Sequence, residues 1–222
     1  MNSADCQGSP SGTAGYVLAG GASSRMGKDK ALVAFHGQAL IVHATTLLRE
    51  AGLRAAIAGA RSDLSAFGRV VEDGGLGPLG GICAALGADQ REYAVFVSVD
   101  TPLLPAGLLA AQLESAQRTG MGITLASVSG FPQTFPAVVH RSLLPALESE
   151  LRAGNGGCFA AFRSAAERTK CPLRILAVEE LVQAGRVEHP QALPAAYWFL
   201  NLNSPVDLAH AESLWPVGHR VI

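Results

Sequence analysis

The sequence predicts an α/β protein with a single domain, in which a mostly parallel, Rossmann-like sheet lies between two layers of helices. Apolar runs of strand length alternate with segments of helical periodicity along most of the 222 residues. Polar clusters follow three of these runs, at Gly20-Gly21, Asp100-Thr101-Pro102 and Asn203-Ser204-Pro205. Because parallel strands end at one edge of a sheet, where ligands bind, the clusters predict one shared site.

The predicted strands are short apolar runs bounded by glycine, proline or polar residues. The sequence YAVFVSV at 93–99 is the strongest of them, because it is continuous, aromatic and β-branched. The full set of predicted strands is residues 16–19, 55–58, 70–71, 93–99, 123–128, 137–139, 175–178 and 198–202.

The predicted helices carry apolar residues at helical spacing and begin or end at recognisable residues. Gly52 is a natural stop for the first helix, Ser142 is expected to cap the fourth, and Ser204 with Asp207 forms a capping box for the last. Residues 179–196 have the weakest pattern and are expected to be irregular. The predicted helices are residues 40–51, 78–88, 105–116 and 143–151, and a last one that begins at 205.

Composition excludes several classes of protein. Hydrophobic residues make up 49% of the chain and charged residues 16%, which is typical of one globular domain. The formal net charge of −1 gives no support to a nucleic-acid partner. The four cysteines lack the spacing of a zinc site and are expected to be reduced thiols: Cys6, Cys83, Cys158 and Cys171.

The Ser/Gly-rich residues 1–14 are expected to form a flexible tail, followed by the folded domain at 15–222. The N-terminus lacks the basic and apolar regions of a signal peptide, and no apolar run approaches the length of a membrane span. We therefore expect a cytoplasmic location and no membrane partner.

The stretch VLAGGASSRMGKDKALV, at 17–33, predicts a phosphate-binding loop. Gly20 and Gly21 let backbone amides approach an anion, and Arg25, Lys28 and Lys30 add cationic donors. The dinucleotide fingerprint GxGxxG is absent, and the spacing also fails the Walker A pattern. The alternative is a tight turn whose charges are solvated.

The pattern LAGGxSxRMGxDK in this stretch resembles the signature of the nucleotidyltransferases that act on the molybdenum cofactor, within the nucleoside-diphosphate-sugar transferase class. The double glycine and Asp29-Lys30 resemble the guanylyltransferase branch, since the cytidylyltransferase branch usually has Ala-Gly and lacks the aspartate. The resemblance implies the sheet of that class. It also implies GTP-binding roles for Leu18, Ala19, Gly20, Gly21 and Lys30.

Two acidic residues are candidates for the nucleotide site. Asp100 ends a buried strand, where a carboxylate is costly unless a cation accompanies it, and carboxylate oxygen suits Mg²⁺. The resemblance implies that Asp100 holds Mg²⁺ beside the nucleotide, and that Asp73, Gly77 and Pro78 contact the nucleoside. The alternatives are a helix-capping aspartate at 100 and a solvated loop acid at 73.

Two further segments resemble the acceptor side of the same family. FPQTFPAVVH contains Gln133, and WFLNLNSPVDL resembles the motif NxNTPxDL, with Ser204 in place of threonine. The resemblance implies that Gln133, Asn201 and Asn203 bind the acceptor. The alternative for each asparagine is a turn residue that satisfies the backbone.

The reaction that the resemblance implies is Mg²⁺-dependent transfer of GMP from GTP to the terminal phosphate of molybdenum-bound molybdopterin. The products are molybdopterin guanine dinucleotide and pyrophosphate, and the catalytic residues are Arg25, Lys30 and Asp100. A monomer that makes transient contacts with other cofactor-synthesis proteins and apo-molybdoenzymes is expected. The alternatives are a related transferase that uses CTP or a sugar-phosphate acceptor, and a non-catalytic nucleotide-binding paralogue.

Overall fold

The computed structural model describes residues 13–20, 29–154 and 157–215. Nine strands lie in these ranges: β1 Ala14–Leu18, β2 Ala34–Phe35, β3 Gln38–Ala39, β4 Arg54–Ala58, β5 Val70–Val71, β6 Tyr93–Ser98, β7 Ile123–Val128, β8 Phe131–His140 and β9 Leu173–Ala177. The α-helices are α1 Leu40–Glu50, α2 Gly77–Ala88, α3 Ala106–Thr119, α4 Leu144–Arg152, α5 Cys158–Thr169, α6 Val178–Gln183 and α7 Pro205–Leu214.

Seven strands form one sheet in the order β5-β4-β1-β6-β8-β7-β9. All neighbours pair in parallel except around β8, which is antiparallel to both β6 and β7. The predicted mostly parallel sheet is therefore confirmed. The central strands β1 and β6 are buried along almost their whole length, as expected for a sheet that is covered on both faces.

Helices cover both faces of the sheet, which confirms the three-layer arrangement. Alternate side chains of β1 divide between two apolar cores: Val17 faces one, and Tyr16 and Leu18 face the other. The first core receives buried residues from α1, α3, α6 and α7, whereas the second receives them from α2, α4 and α5.

Two helices in the second half of the chain were not predicted. In α5, buried Cys158, Ala161, Phe162 and Ala165 recur at helical spacing, so the helix follows the ordinary amphipathic rule. Helix α6 occupies the start of the segment 179–196 that was expected to be irregular, and its buried Leu181 docks it on the sheet.

The strand predicted at 198–202 is wrong. A 3₁₀ turn at Ala195–Tyr197 leads into a further turn at residues 198–199 and irregular backbone at 200–203, and this segment belongs to neither sheet. The indole of Trp198 donates a hydrogen bond to the Leu193 carbonyl (2.7 Å), and the amide of Leu202 donates to the Asp100 carbonyl (2.9 Å). The segment therefore lies across the end of β6 instead of pairing along a strand.

The cap predicted at Ser142 is also wrong. His140 caps a 3₁₀ turn at Arg141–Leu143, because its Nδ1 accepts a hydrogen bond from the Ser142 amide at 3.1 Å. Helix α4 follows this turn with Leu143 at its N-cap position and makes no side-chain cap. The cap at Ser204 is confirmed, because its Oγ accepts from the Asp207 amide (3.2 Å). The returning bond of the capping box is shifted by one residue, since an Asp207 carboxylate oxygen accepts from the amide of Asn203 (3.0 Å).

The antiparallel strand β8 is much longer than the predicted 137–139, since it begins at Phe131. This extension carries Gln133 past the end of β6. Of the tail expected at 1–14, residues 1–12 lie outside the described residues, and β1 begins at Ala14. Among the helices in the described ranges, none combines the length and the apolar character that crossing a membrane requires.

Candidate active site

The carboxyl ends of three parallel strands build the site. In the sheet register, Leu18 of β1 lies level with Ala58 of β4 and with Ser98 of β6. The residues that follow these strands therefore emerge side by side. Leu18 and Ala19 are buried beside this edge, and they lead to Gly20.

Lys30 joins two of the polar clusters. Its Nζ donates hydrogen bonds to Oδ2 of Asp100 and to Oδ1 of Asn203, both at 2.6 Å. The side chains of Lys30 and Asp100 are 20% and 15% exposed, so the ion pair is shielded but open on one side. Three predicted site residues that are distant in sequence thus meet at one ammonium group.

Asp100 is held from its other side by β6. Its Oδ1 accepts a hydrogen bond from the Ser98 hydroxyl at 2.5 Å. The helix that follows, α3, begins at Ala106 with Pro105 at its N-cap position, so Asp100 does not cap it. The sequence alone did not single out Ser98, although it stands two positions before Asp100 in the same strand.

A polar cavity of about 250 Å³ opens beside Asp100. The predicted acceptor residues Gln133 and Asn201 lie in its wall, and each uses its amide nitrogen to hydrogen-bond a backbone carbonyl two residues earlier. Asn201 thus satisfies the backbone as well, whereas the side chain of Asn203 binds Lys30. The full lining is Ser98, Asp100, Thr101, Gln133, Thr134, Phe135, Phe199 and Asn201.

Asp73 follows β5, which lies on the other side of β1 from β6 and Asp100 in the sheet. It is not a solvated loop acid, because only 8% of the residue is exposed. One carboxylate oxygen accepts from the Gly75 amide at 2.8 Å, and a Cβ placed on Gly20 would lie 3.8 Å from the other. Within the described ranges, no cationic side chain pairs with Asp73.

Gly77 begins α2 with a φ of +74°, a conformation that favours glycine, and Pro78 follows at the start of the helix. Gly59, after β4, packs against Gly20 so closely that a Cβ on it would lie 3.0 Å from the Gly20 nitrogen. These two glycines are required by backbone geometry. Among the described residues, the atoms nearest to a Cβ on Gly20 would be 3.8 Å away, which leaves room for a side chain.

Arg61 is a residue of the site that the sequence analysis missed. Its guanidinium binds Asp29, Asp63 and the Ala19 carbonyl. Hydrogen bonds from Arg61 to Asp63 and Asp29 raise its pKa, against an opposing effect of burial. No local motif signals this role, because the sequence ARSD is typical of a polar turn and Asp29 is 32 positions away.

The other predicted residues of the site, Gly21, Arg25 and the cationic donor Lys28, lie outside the described residues. The roles assigned to all these side chains remain predictions. The structure brings Lys30, Asp100 and Asn203 into direct contact, and it places Gln133 and Asn201 around the adjoining cavity.

The oxygen donors around Asp100 suit Mg²⁺. Hydroxyl and amide side chains line the cavity beside the carboxylate, and in the part of the chain that the structure covers no group of three or more acidic, histidine or cysteine side chains is arranged to hold a metal ion. Mg²⁺ commonly binds through one or two protein carboxylates and keeps water and phosphate oxygens for its other positions. The donor set therefore fits this ion in the presence of a nucleotide.

Comparison with known proteins shows the family to which the chain belongs. The family model described as MobA-like NTP transferase domain matches residues 15–169. A molybdenum cofactor guanylyltransferase of Rhizobium meliloti (strain 1021) is 31% identical over 211 residues, which cover 90% of each chain. The protein of the same name from Xanthomonas euvesicatoria pv. vesicatoria (strain 85-10) is 44% identical over 105 residues, 46% of this chain and about half (54%) of that protein.

A crystal structure of molybdopterin-guanine dinucleotide biosynthesis protein A from Archaeoglobus fulgidus has the same fold, with a TM-score of 0.72. The sequences are 21% identical, and the match covers 91% of this chain and 98% of that one. The resemblance seen in the glycine-rich stretch thus extends over most of the fold, and the chain belongs to the nucleotidyltransferase family of the MobA-like NTP transferase domain.

Proposed function

We propose that the chain transfers GMP from GTP to the terminal phosphate of molybdenum-bound molybdopterin, with Mg²⁺, and releases pyrophosphate. The observation that carries this proposal is the contact of Lys30 with both Asp100 and Asn203, next to the polar cavity that Asp100 lines. The names of the relatives from Rhizobium and Xanthomonas support guanylyl transfer in particular.

The transfer requires two polyanions to meet in line, and the protein supplies position and charge rather than covalent chemistry. In the proposed reaction the acceptor phosphate attacks the α-phosphate of GTP, a bond to the α-phosphorus forms, and the bond to the pyrophosphate oxygen breaks. The acceptor phosphate is already ionised at neutral pH, so no general base is needed.

Each side of the site would hold one substrate. Residues 18–20 with Asp73, Gly77 and Pro78 would bind the nucleotide, and Gln133, Asn201 and Asn203 would bind the acceptor. Lys30 would neutralise charge that develops on the transferred phosphate and on the departing pyrophosphate. Asp100 would hold Mg²⁺, and this ion supplies charge neutralisation on the phosphate oxygens when bound.

The proposed partners are GTP and the molybdopterin cofactor, followed by transient contacts with enzymes that supply or receive that cofactor. A cytoplasmic location belongs to the same proposal.

Calorimetric titration with GTP, CTP, ATP and UTP, each with Mg²⁺, tests the nucleotide. We expect selective binding of GTP, and at least about tenfold weaker binding in Asp100→Asn, since the metal loses its carboxylate. Glu114→Gln is the matched control, because it removes an exposed carboxylate on α3 that pairs with Arg186 away from the site. Selective binding of CTP or UTP would move the chain to another branch of the family.

Transfer itself is tested by incubating the protein with GTP, Mg²⁺ and molybdopterin cofactor. The expected result is equal release of pyrophosphate and guanine dinucleotide, both lost in folded Asp100→Asn. Full transfer by that variant would contradict the role of Asp100. Binding of GTP with no product would favour a non-catalytic nucleotide-binding protein.

A further inference from the structure

Arg61 connects the two chain segments that flank residues 21–28. Its Nη1 donates a hydrogen bond to the Ala19 carbonyl at 3.3 Å and another to Oδ1 of Asp29 at 3.1 Å, while Nη2 binds Oδ2 of the same carboxylate. Ala19 follows β1 and Asp29 precedes the 3₁₀ turn Lys30–Leu32. One side chain therefore fixes the separation of two points that stand ten positions apart in the sequence.

The remaining donors of the guanidinium are also occupied. Nε and Nη2 bind the two carboxylate oxygens of Asp63 at 2.9 and 2.7 Å. All three nitrogens thus have acceptors within the protein, and the side chain is only 16% exposed. A group engaged in this way is suited to holding other residues in place rather than to binding a substrate.

The contact with Asp29 leads directly to Lys30. Oδ1 of Asp29 also accepts a hydrogen bond from the Ala31 amide at 3.0 Å and so caps the 3₁₀ turn on which Lys30 stands. From that turn, Lys30 reaches Asp100 and Asn203. Movement of Asp29 would therefore move the backbone from which the ammonium group extends.

We infer that Arg61 is a positioning residue for the proposed transfer, which acts through Asp29 to hold Lys30 over the reacting phosphates. The inference rests on the proposed function for its effect on turnover, whereas the hold on Lys30 can be tested without any nucleotide. A planar fork is required, because it must bind one carboxylate with two nitrogens and reach a carbonyl as well. A lysine has a single ammonium group and would not replace it.

Competitive acylation of lysines, read by mass spectrometry, tests the hold on Lys30 in the nucleotide-free protein. Lys170, at the end of α5, serves as the internal reference. We expect labelling of Lys30 relative to Lys170 to rise several-fold in Arg61→Met and in Asp29→Asn. Asp63→Asn is the matched control, because it removes the 57% exposed partner and leaves the contact with Asp29, so its labelling should match the wild type.

The steady-state rate of pyrophosphate release tests whether loss of this hold on Lys30 lowers turnover. We expect kcat to fall about 10- to 100-fold in Arg61→Met and in Arg61→Lys, as for a small misplacement of a reacting group, with a much smaller change in the KM for GTP. The double variant Arg61→Met/Lys30→Met should be no slower than Lys30→Met alone, because Arg61 acts through Lys30. A purely structural role would lower the rate of the double variant further.

The outcomes separate the two proposals. Unchanged labelling of Lys30 in Arg61→Met overturns the inference, whatever the kinetics show. Full turnover by Arg61→Lys overturns the requirement for the fork and with it the inference. A wild-type protein that neither binds nor turns over GTP contradicts the proposed function, while the labelling still decides whether Arg61 holds Lys30.

Discussion

Lys30 has two partners in this structure, and both belong to the part of the site that would receive phosphates. Its ammonium group lies 2.6 Å from Oδ2 of Asp100, so the positive charge of the lysine compensates the negative charge of the aspartate. The same lysine cannot neutralise a phosphate and remain fully paired with Asp100. A bound nucleotide would therefore compete with Asp100 for Lys30, and it would bring its own cation.

Replacement of Lys30 should abolish efficient transfer. Lys30→Met removes a preorganised cation from the transition state, and the loss of one such donor typically lowers turnover about 10²- to 10³-fold. The rate of pyrophosphate release at saturating GTP measures the turnover of the variant. Lys170→Met is the control, since it removes a lysine at the far end of α5 and should keep wild-type turnover. Wild-type activity in Lys30→Met would contradict the proposed mechanism.

The same substitution should strengthen binding of a free divalent cation. Without the ammonium group, the carboxylate of Asp100, which is 15% exposed, keeps only the Ser98 hydroxyl among its described side-chain partners. Attraction of a cation to a shielded carboxylate increases when its ion-pair partner is removed. We expect about tenfold tighter Mn²⁺ binding to nucleotide-free Lys30→Met, measured by electron paramagnetic resonance. Equal or weaker binding would show that Lys30 does not occupy the cation's place.

The N-terminus of helix α7 stabilises the helix and also carries a residue of the candidate site. Ser204 caps the helix, and the residue before it, Asn203, donates its amide to Asp207 while its side chain holds Lys30. The sequence motif predicted this cap correctly. It did not predict the conformation before it, because an apolar run such as WFLNL is compatible with either a strand or a packed loop.

Loss of the cap should weaken the fold. Ser204→Ala leaves the Asp207 amide without its acceptor and should lower the free energy of unfolding by about 1 kcal/mol. Ser204→Thr keeps the hydroxyl and should preserve stability. Urea unfolding measures both variants, with Ser213→Ala as a control that removes a hydroxyl near the other end of α7. An unchanged midpoint for Ser204→Ala would contradict the role of the cap.

The sheet explains why some of the site could be read from sequence and some could not. Gly20 and Asp100 follow two neighbouring parallel strands whose apolar runs are unmistakable, so the parallel arrangement predicts that both lie at one edge of the sheet. Lys30 stands twelve positions after β1, and it was assigned to the site from the basic residues and the motif of the glycine-rich stretch. Arg61 depends on the contact of β4 with β1 and on a partner in another segment, and neither is encoded near residue 61. Helix α5 was missed although its apolar spacing is regular, because its small alanines give a weak signal.

One core of the molecule contains a buried histidine. His189, 4% exposed, packs against the rings of Trp198 and Trp215, whose centroids are 5.9 and 6.2 Å from that of the imidazole. Its Nδ1 accepts a hydrogen bond from the Gln191 amide (3.2 Å), so its Nε2, 3.1 Å from the Leu103 carbonyl, is the protonated nitrogen. Burial lowers the pKa of His189 below the ordinary 6.5.

The sign of the pH effect on stability follows from this shift. Between the lowered pKa of the folded state and about 6.5, the unfolded chain binds the proton and the folded chain does not, so stability falls as pH falls through that window. The loss is at most about 1.4 kcal/mol per pH unit for one histidine. We expect His189→Gln to lose less stability than the wild type between pH 7.5 and pH 5.5.

Urea unfolding at a series of pH values measures this difference. His210→Gln, which removes an exposed histidine on α7, controls for the loss of an imidazole as such, and we expect it to retain the wild-type slope. The glutamine at 189 keeps an amide nitrogen that can donate to Leu103, so a lower stability at pH 7.5 leaves the comparison of slopes intact. Equal slopes in His189→Gln and the wild type would contradict this assignment, because the imidazole of His189 would then not change its protonation on unfolding in this pH range.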